Sequence, residues 1–195
     1  MTADLDPMLK PYKWLNEATI YNKRNEQVPI SWILDNADLL VLLFNSKGVD
    51  INGIVTKFCE IYENVKYVNL PIEVIYVPMD DTEADAIASY ESQANWFTLK
   101  FDDPLVPVLK YMYEVTCIPH LIVVNLDGTI VSSHAIFDLV EYGKNAVITW
   151  LSTSASIKSH RKLSRESSMY GENWVYMNVD PTRNVSDYQR KFPKD

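Results

Sequence analysis

Six consecutive apolar residues at positions 39–44 (LLVLLF) constrain the fold of this 195-residue chain more than any other stretch. Six residues suit a β-strand and fall far short of the roughly 20 that a membrane-spanning helix needs. A strand that is apolar at every position must be covered on both faces, because neither of its sides can face water. A second apolar run, at 121–124, has the same character. The two runs therefore predict a central sheet with a layer of structure on each face.

The spacing of apolar residues elsewhere alternates between strand and helix. Ser31 is a plausible N-cap for a short helix. Strands are predicted at 18–21, 27–30, 73–77, 120–125 and 129–133, longer helices at 53–67, 79–93 and 140–151, and a shorter helix at 105–113. Helical crossovers between buried strands imply parallel pairing, and the turn at Asp127 and Gly128 adds an antiparallel hairpin. The prediction is an α/β fold, with a mixed central sheet and helices on both faces.

Composition and charge divide the chain into an N-terminal arm (1–17), a domain (18–151) and a Ser-rich, basic C-terminal tail (152–195). Residues 1–151 carry a net charge of −11 and residues 152–195 a net charge of +3. The acidic domain disfavours nucleic acid as a partner. The tail is expected to be solvated, with contacts to RNA, to an acidic protein or to its own domain as alternatives. The first ten residues lack the apolar core of a secretory signal, and two cysteines cannot build a disulfide scaffold, so we expect a cytoplasmic or nuclear protein without membrane insertion.

Three segments in order along the chain carry a family resemblance. These are the strand at 40–44, the segment NWFTLKFDD at 95–103 with Trp96 and Phe101, and the segment CIPHL at 117–121. Together with the order of elements they resemble a thioredoxin-like fold, and within it the tryparedoxin and nucleoredoxin branch. The resemblance covers about residues 18–151. It implies that Pro119 occupies the position of the family's cis-proline.

The same resemblance fails at the residues that perform the family's chemistry. The branch carries Trp-Cys-Pro-Pro-Cys between the strand and the following helix, and alignment on the glycine at 53 places this stretch on Lys47, Gly48, Val49, Asp50 and Ile51. Both cysteines are absent, and a shift of one residue in either direction brings no sulfur into place. Thiol–disulfide exchange needs an attacking thiolate and a resolving thiol. We therefore expect that dithiol oxidoreductase activity is lost and that the chain uses no cofactor and no metal.

The cis-proline segment supplies the first candidates for protein binding, which are Cys117, Ile118, Pro119 and His120. In the family this loop lies beside the catalytic site and offers backbone groups to an extended substrate; alternatively, Pro119 only shapes the turn before a strand. Cys117 is expected to be an ordinary loop residue, although a single-cysteine thiol or glutathione-linked redox protein remains the rival hypothesis. Cys59 is expected in the core, without a disulfide to Cys117. One cysteine and one histidine are too few ligands for zinc.

The remaining candidates lie at a helix start and in the tail. Lys47 and Asp50 precede a helix whose free N–H groups can hold an anion or a carboxylate, and Asp50 is expected to cap that helix. Trp174 and Tyr176 are unusual in a solvated tail and should dock on the domain or on a partner, while Ser164 resembles a phosphorylation site. The sequence therefore predicts a redox-inactive thioredoxin-like protein that acts as a protein-binding scaffold or complex subunit.

Overall fold

A computed structural model describes residues 12–158 of the chain; residues 1–11 and 159–195 lie outside it. The described part contains seven strands and six α-helices, together with two short 3₁₀ turns at Trp14–Glu17 and Ile51–Gly53. In chain order the elements are β1 Ile20–Tyr21, β2 Gln27–Val28, α1 Ile30–Asn36, β3 Leu39–Asn45, α2 Ile54–Tyr67, β4 Ile72–Pro78, α3 Glu83–Glu91, β5 Phe97–Thr98, α4 Leu105–Met112, β6 His120–Asn125, β7 Ile130–Ser132, α5 Ala135–Tyr142 and α6 Asn145–Lys158.

All seven strands form one mixed sheet in the order β2-β1-β5-β4-β3-β6-β7. The central strand β3 pairs in parallel with β4 and antiparallel with β6, and β4 pairs in parallel with β5. The hairpin of β6 and β7 forms one edge of the sheet, and the hairpin of β1 and β2 forms the other. The predicted mixed sheet is therefore confirmed. The sequence did not predict strand β5, because two residues are too few to show the alternation of apolar and polar side chains that indicates a strand.

Strand β3 is apolar throughout because it serves two cores. Leu39, Val41 and Leu43 join a core with α2, α5 and α6 on one face of the sheet. Leu40, Leu42 and Phe44 join a second core with α1 and α4 on the other face. Every residue of β3 is buried, and successive side chains of a strand point to opposite faces. The prediction of helices on both faces of the sheet is thus confirmed.

The end of the domain differs from the prediction of one helix at 140–151. Two helices replace it, because Gly143 ends α5 with a positive φ of 58°, a conformation that glycine adopts without steric cost. The second helix, α6, continues to Lys158, beyond the boundary drawn at residue 151. Serine is tolerated there because Ser154 is buried and its hydroxyl donates to Asn125 Oδ1 at 2.8 Å. Within residues 12–158, no helix is both long and apolar enough to cross a bilayer.

Two details at the start of the chain also differ from the prediction. Trp14, assigned to the arm, is completely buried, and its Nε1 donates to the hydroxyl of Tyr113 at 2.9 Å. The predicted N-cap at Ser31 is wrong: α1 begins one residue earlier, after Pro29, and no side chain caps it. Proline commonly precedes or opens a helix, because it has no N–H group to satisfy.

Candidate protein-binding edge

The degenerate turn, residues 47–51, and the cis-proline loop, residues 116–119, lie at the same edge of the sheet. The register of β3 and β6 pairs Phe44 with His120. The turn follows β3, whereas the loop precedes β6, and antiparallel neighbours place the end of one strand beside the start of the other. The structure thus brings together the two segments that the sequence selected separately. Trp174, Tyr176 and Ser164 lie outside the described residues.

The backbone of the degenerate turn is fixed by hydrogen bonds on both sides. The Asn45 side-chain amide donates to the carbonyl of Val49 at 2.7 Å, and the Lys47 N–H donates to Asp80 Oδ1 at 2.6 Å. Gly48 has φ of +77°, in the left-handed region where a side chain introduces strain. The position that aligns with the family's first cysteine therefore has a backbone conformation that favours glycine.

The start of α2 is occupied by a carboxylate. Asp50 Oδ1 accepts a hydrogen bond from the Val55 N–H at 2.7 Å, and Asp50 Oδ2 accepts from the N–H and the hydroxyl of Thr56 at 3.2 and 2.7 Å. The first N–H groups of a helix have no partner within the helix and attract negative charge. In dithiol proteins such an environment lowers the pKa of a cysteine. Here Asp50 accepts these hydrogen bonds instead, which agrees with its predicted capping role, although the N-cap position of α2 is Gly53.

A buried tyrosine, Tyr76, contacts two of the residues that hold the degenerate turn. The Tyr76 hydroxyl lies 2.9 Å from the Asn45 carbonyl, 2.8 Å from Asp80 Oδ2 and 3.0 Å from Ser89 Oγ. Burial raises the pKa of Tyr76 well above its usual value, so the hydroxyl keeps its proton and donates it to this cluster. The other carboxylate oxygen of Asp80 holds the Lys47 N–H. The turn is thereby anchored to β4 and α3.

The cis-proline loop presents its thiol to solvent. The peptide bond between Ile118 and Pro119 is cis, as the resemblance implied. Cys117 is exposed, Ile118 is half-buried, and Pro119 is buried. The loop therefore has one fixed bend and an accessible outer side, next to a turn that contains no sulfur.

A row of aromatic rings extends from the loop to the surface, and the sequence alone did not reveal it. The buried ring of His120 meets the ring of His134 edge-on at 5.2 Å, and His134 stacks on Phe137 at 5.9 Å. His120 Nε2 donates to the Ser133 carbonyl at 2.8 Å. Burial is the main cause that lowers the pKa of His120, which keeps its ring neutral at neutral pH. Phe137 is 68% exposed, so the row ends in an accessible apolar group.

Comparisons with known proteins agree with this architecture. A sequence model described as Thioredoxin-like matches residues 36–130. The probable nucleoredoxin 2 of Oryza sativa subsp. japonica is 33% identical over 113 residues, which are 57% of this chain and only 28% of that protein. The solved structure of tryparedoxin from Trypanosoma brucei matches with a TM-score of 0.59 and 23% identity, covering 68% of this chain and 91% of the other. Thioredoxin from Wuchereria bancrofti matches with a TM-score of 0.55 and 20% identity, covering 80% of this chain and 95% of the other.

This chain has a thioredoxin-like fold. Its sequence resembles the nucleoredoxins and tryparedoxins, and it lacks the adjacent cysteine pair in the turn before α2. The nucleoredoxin match covers little more than a quarter of that relative's length, and the identity to the two solved structures establishes the fold alone.

The thioredoxin-like domain holds two free cysteines in different environments. Cys59 is half-buried on α2 and packs against the first core, as predicted. Burial raises the pKa of Cys59 to about 11, so its thiol stays protonated and unreactive at neutral pH. Cys117 is the exposed thiol. Among residues 12–158 no three His, Cys, Asp or Glu side chains converge as metal ligands.

Proposed function

We propose that this thioredoxin-like protein is a redox-inactive scaffold or complex subunit, and that it binds a protein partner at the edge formed by the degenerate turn and the cis-proline loop. One observation carries the proposal: the turn holds no thiol, and the N–H groups at the start of α2 are taken by Asp50. A site without an attacking thiolate cannot begin disulfide exchange. The adjoining loop, by contrast, keeps its cis bond and its accessible outer side.

The row of rings beside the loop supports a role in binding. Phe137 and Val140 are each 68% exposed and lie three positions apart on α5, which places them on the same face of the helix. Exposed aromatic groups are frequent anchors of protein interfaces. An extended partner segment on the cis-proline loop would reach Phe137 through His134. Trp174 and Tyr176 in the tail are a second proposed contact with the partner.

The exposure of Cys117 favours one alternative, a monothiol protein that exchanges with glutathione or forms a regulatory adduct. Cys117 is accessible and lies at the proposed edge. Exchange would begin with the Cys117 thiolate attacking glutathione disulfide, which forms a mixed disulfide and releases one glutathione thiolate. No second thiol is present in the turn to resolve that mixed disulfide, so glutathione would have to do so.

Two assays on the full chain separate these possibilities. The first measures insulin-disulfide reduction and exchange with glutathione disulfide, with a dithiol thioredoxin as positive control. We expect no activity in the wild type and none in Cys117→Ser. Activity that disappears in Cys117→Ser would establish the alternative and contradict the redox-inactive proposal.

The second assay tests the edge directly by affinity capture from a lysate. Thr116→Arg adds a long charged group at an exposed position of the loop, and Ser152→Arg adds the same group to an exposed position of α6. We expect partners to be lost with Thr116→Arg and kept with Ser152→Arg. The double substitution of Trp174 and Tyr176 by Ala tests the tail. Equal capture by the wild type and Thr116→Arg would show that the edge is not the binding surface.

A further inference from the structure

A cleft lies on the other side of the degenerate turn from the cis-proline loop. It has a volume of about 350 Å³, and its walls come from the degenerate turn, the start of α2 and the end of α3. Strand β3 has β6 on one side and β4 on the other. The cis-proline loop precedes β6, whereas α3 follows β4, so the loop and the cleft flank the turn. We call this space the α2–α3 cleft.

Asn45, the last residue of β3, lines this cleft and is only 3% exposed. It lies two positions after Leu43, which places its side chain on the face of the sheet that α2 covers. Its Nδ2 donates to the Val49 carbonyl at 2.7 Å, which fixes the orientation of the amide, because a flipped amide would point its oxygen at that carbonyl. Its Oδ1 is buried and accepts no hydrogen bond from the described residues. A buried acceptor without a donor costs free energy, so this position favours a ligand that donates hydrogen bonds.

Two hydroxyl groups of the cleft add further acceptors. Ser92 Oγ donates its proton to the Ser89 carbonyl at 2.7 Å, and Thr56 Oγ1 donates its proton to Asp50 Oδ2 at 2.7 Å. A hydroxyl has one proton and two lone pairs, so both oxygens keep the capacity to accept. The Gln93 Nε2 group donates to Ser89 Oγ at 3.3 Å. These donors are therefore used within the protein, whereas acceptor capacity remains.

The charge around the cleft favours a cation. Asp50 is the only acidic residue among those that line it, and none of them is basic. The N–H groups at the start of α2, which would attract an anion, already donate to the Asp50 carboxylate. The opposite wall is the C-terminal end of α3, where carbonyl groups carry partial negative charge. Lys23, which does not line the cleft, already donates to the carbonyls of Tyr90 and Gln93 there. The cleft thus suits a cationic group that donates several hydrogen bonds.

We propose that the α2–α3 cleft binds the guanidinium group of an arginine from the protein partner. This proposal rests on the proposed function and adds to it the chemistry of one partner side chain. The acceptors belong to three separate elements, with Asn45 at the end of β3, Thr56 on α2 and Ser92 after α3. A planar guanidinium carries five N–H donors in a fixed fork and can meet acceptors on several sides, whereas an ammonium group has three donors at one point. A partner segment that crosses the degenerate turn from the cis-proline loop would bring such a side chain to the cleft.

Binding of acetyl-Gly-Arg-Gly-amide to the full chain tests this assignment. In a ¹H–¹⁵N spectrum of the labelled protein, the side-chain NH₂ group of Asn45 reports on the cleft directly. We expect saturable shifts of this resonance, with a dissociation constant in the millimolar range for a single side chain. In two matched peptides, citrulline in place of arginine keeps the shape and removes the charge, and lysine keeps the charge and removes the fork. Both should bind about five-fold more weakly or worse, because hydrogen bonds to a charged group are the stronger ones and the fork makes more of them.

Matched variants make the test specific to the cleft. Ser92→Ala removes one acceptor at an exposed position, so the dissociation constant of the arginine peptide should rise about two- to ten-fold, the factor typical of one hydrogen bond. Ser152→Ala changes an exposed serine of α6 outside the cleft and should leave the constant unchanged.

Three results would overturn the proposal. These are the absence of a saturable shift at Asn45, equal binding of the citrulline peptide, and tighter binding of the lysine peptide, which would assign the cleft to an ammonium group. None of them depends on the capture assay with Thr116→Arg. Failure of the cleft and failure of the proposed binding edge are therefore distinguished from each other.

Discussion

The substitution Asp50→Ala tests whether the Asp50 carboxylate satisfies the free N–H groups at the start of α2. In the wild type, Asp50 accepts hydrogen bonds from the N–H groups of Val55 and Thr56 and from the Thr56 hydroxyl. Alanine removes all three acceptor contacts without adding volume. Water can reach the freed Thr56 N–H because Asp50 and Thr56 are exposed, whereas Val55 is buried. The variant should therefore remain folded but become less stable.

The expected loss combines two contributions. Removal of a capping side chain costs about 1 kcal/mol, with a range of roughly 0.5–2 kcal/mol. Removal of a negative charge from the start of a helix costs about 0.3–1 kcal/mol. The free energy of unfolding should thus fall by about 0.8–3 kcal/mol in Asp50→Ala. Asp50→Asn keeps one oxygen acceptor but loses the charge and the second acceptor, so it should cost more than the roughly 0.3–1 kcal/mol of the charge alone and less than Asp50→Ala.

Urea unfolding of the full chain, followed by far-UV circular dichroism, measures both losses. At about 2–4 °C per kcal/mol for a chain of this size, Asp50→Ala should also lower Tm by about 2–12 °C. Asp81→Ala is the control, because Asp81 is an exposed aspartate near the start of α3. The interpretation of the site is refuted if Asp50→Ala is as stable as the wild type, or if Asp50→Asn is the more damaging of the two substitutions.

Three further predictions concern buried groups. The pKa of His120 is lowered in the folded state, so its neutral ring stabilises the fold above the ordinary pKa of 6.5, and this contribution is lost as the pH falls below that value. The midpoint of urea unfolding should therefore drop more between about pH 7.5 and 5.5 in the wild type than in His120→Gln. The glutamine side chain keeps an N–H donor for the Ser133 carbonyl but does not titrate in this range. Lys66 and Glu73 form a buried ion pair, so Lys66→Met should cost about 3–5 kcal/mol in urea unfolding, and adding Glu73→Gln should recover part of it. Trp14→Ala should lower the free energy of unfolding by about 3–5 kcal/mol in the same assay, because the ring is completely buried. A loss below about 1 kcal/mol would show that Trp14 does not belong to the core and would contradict this assignment.

The sequence predicted those parts of the fold in which neighbouring residues alone determine the structure. Residues 39–44 are apolar on both sides, so their strand and its position in the sheet follow from a single pattern. The burial of Trp14 has no such signal, since its partner Tyr113 lies 99 residues away in the chain. The break at Gly143 was missed because the apolar spacing continues on both sides of it. The serines before Lys158 looked like a linker because the buried partner of Ser154 comes from a distant hairpin.

The candidate site likewise contains features that the sequence predicted and features that it did not. The Asp50 cap follows from a short segment of sequence, and the cis bond before Pro119 was implied by the family resemblance. The contact of His120 with His134 and Phe137 was not, because it depends on the pairing of β6 with β7 and on where α5 begins. An exposed phenylalanine three residues after a histidine is too common a pattern to identify such a row from sequence alone.

The degenerate turn differs from a dithiol site in more than its missing cysteines. Gly48 has a backbone conformation that disfavours a side chain, and Asp50 holds the N–H groups that would otherwise stabilise a thiolate. Two substitutions to cysteine would therefore recreate the residues but not the environment that makes them reactive. The same hydrogen bonds fix the turn against β4 and α3 through Asp80. The turn thus contains no thiol that could attack a disulfide, and its backbone is held in a single shape beside the cis-proline loop, as the proposed binding edge requires.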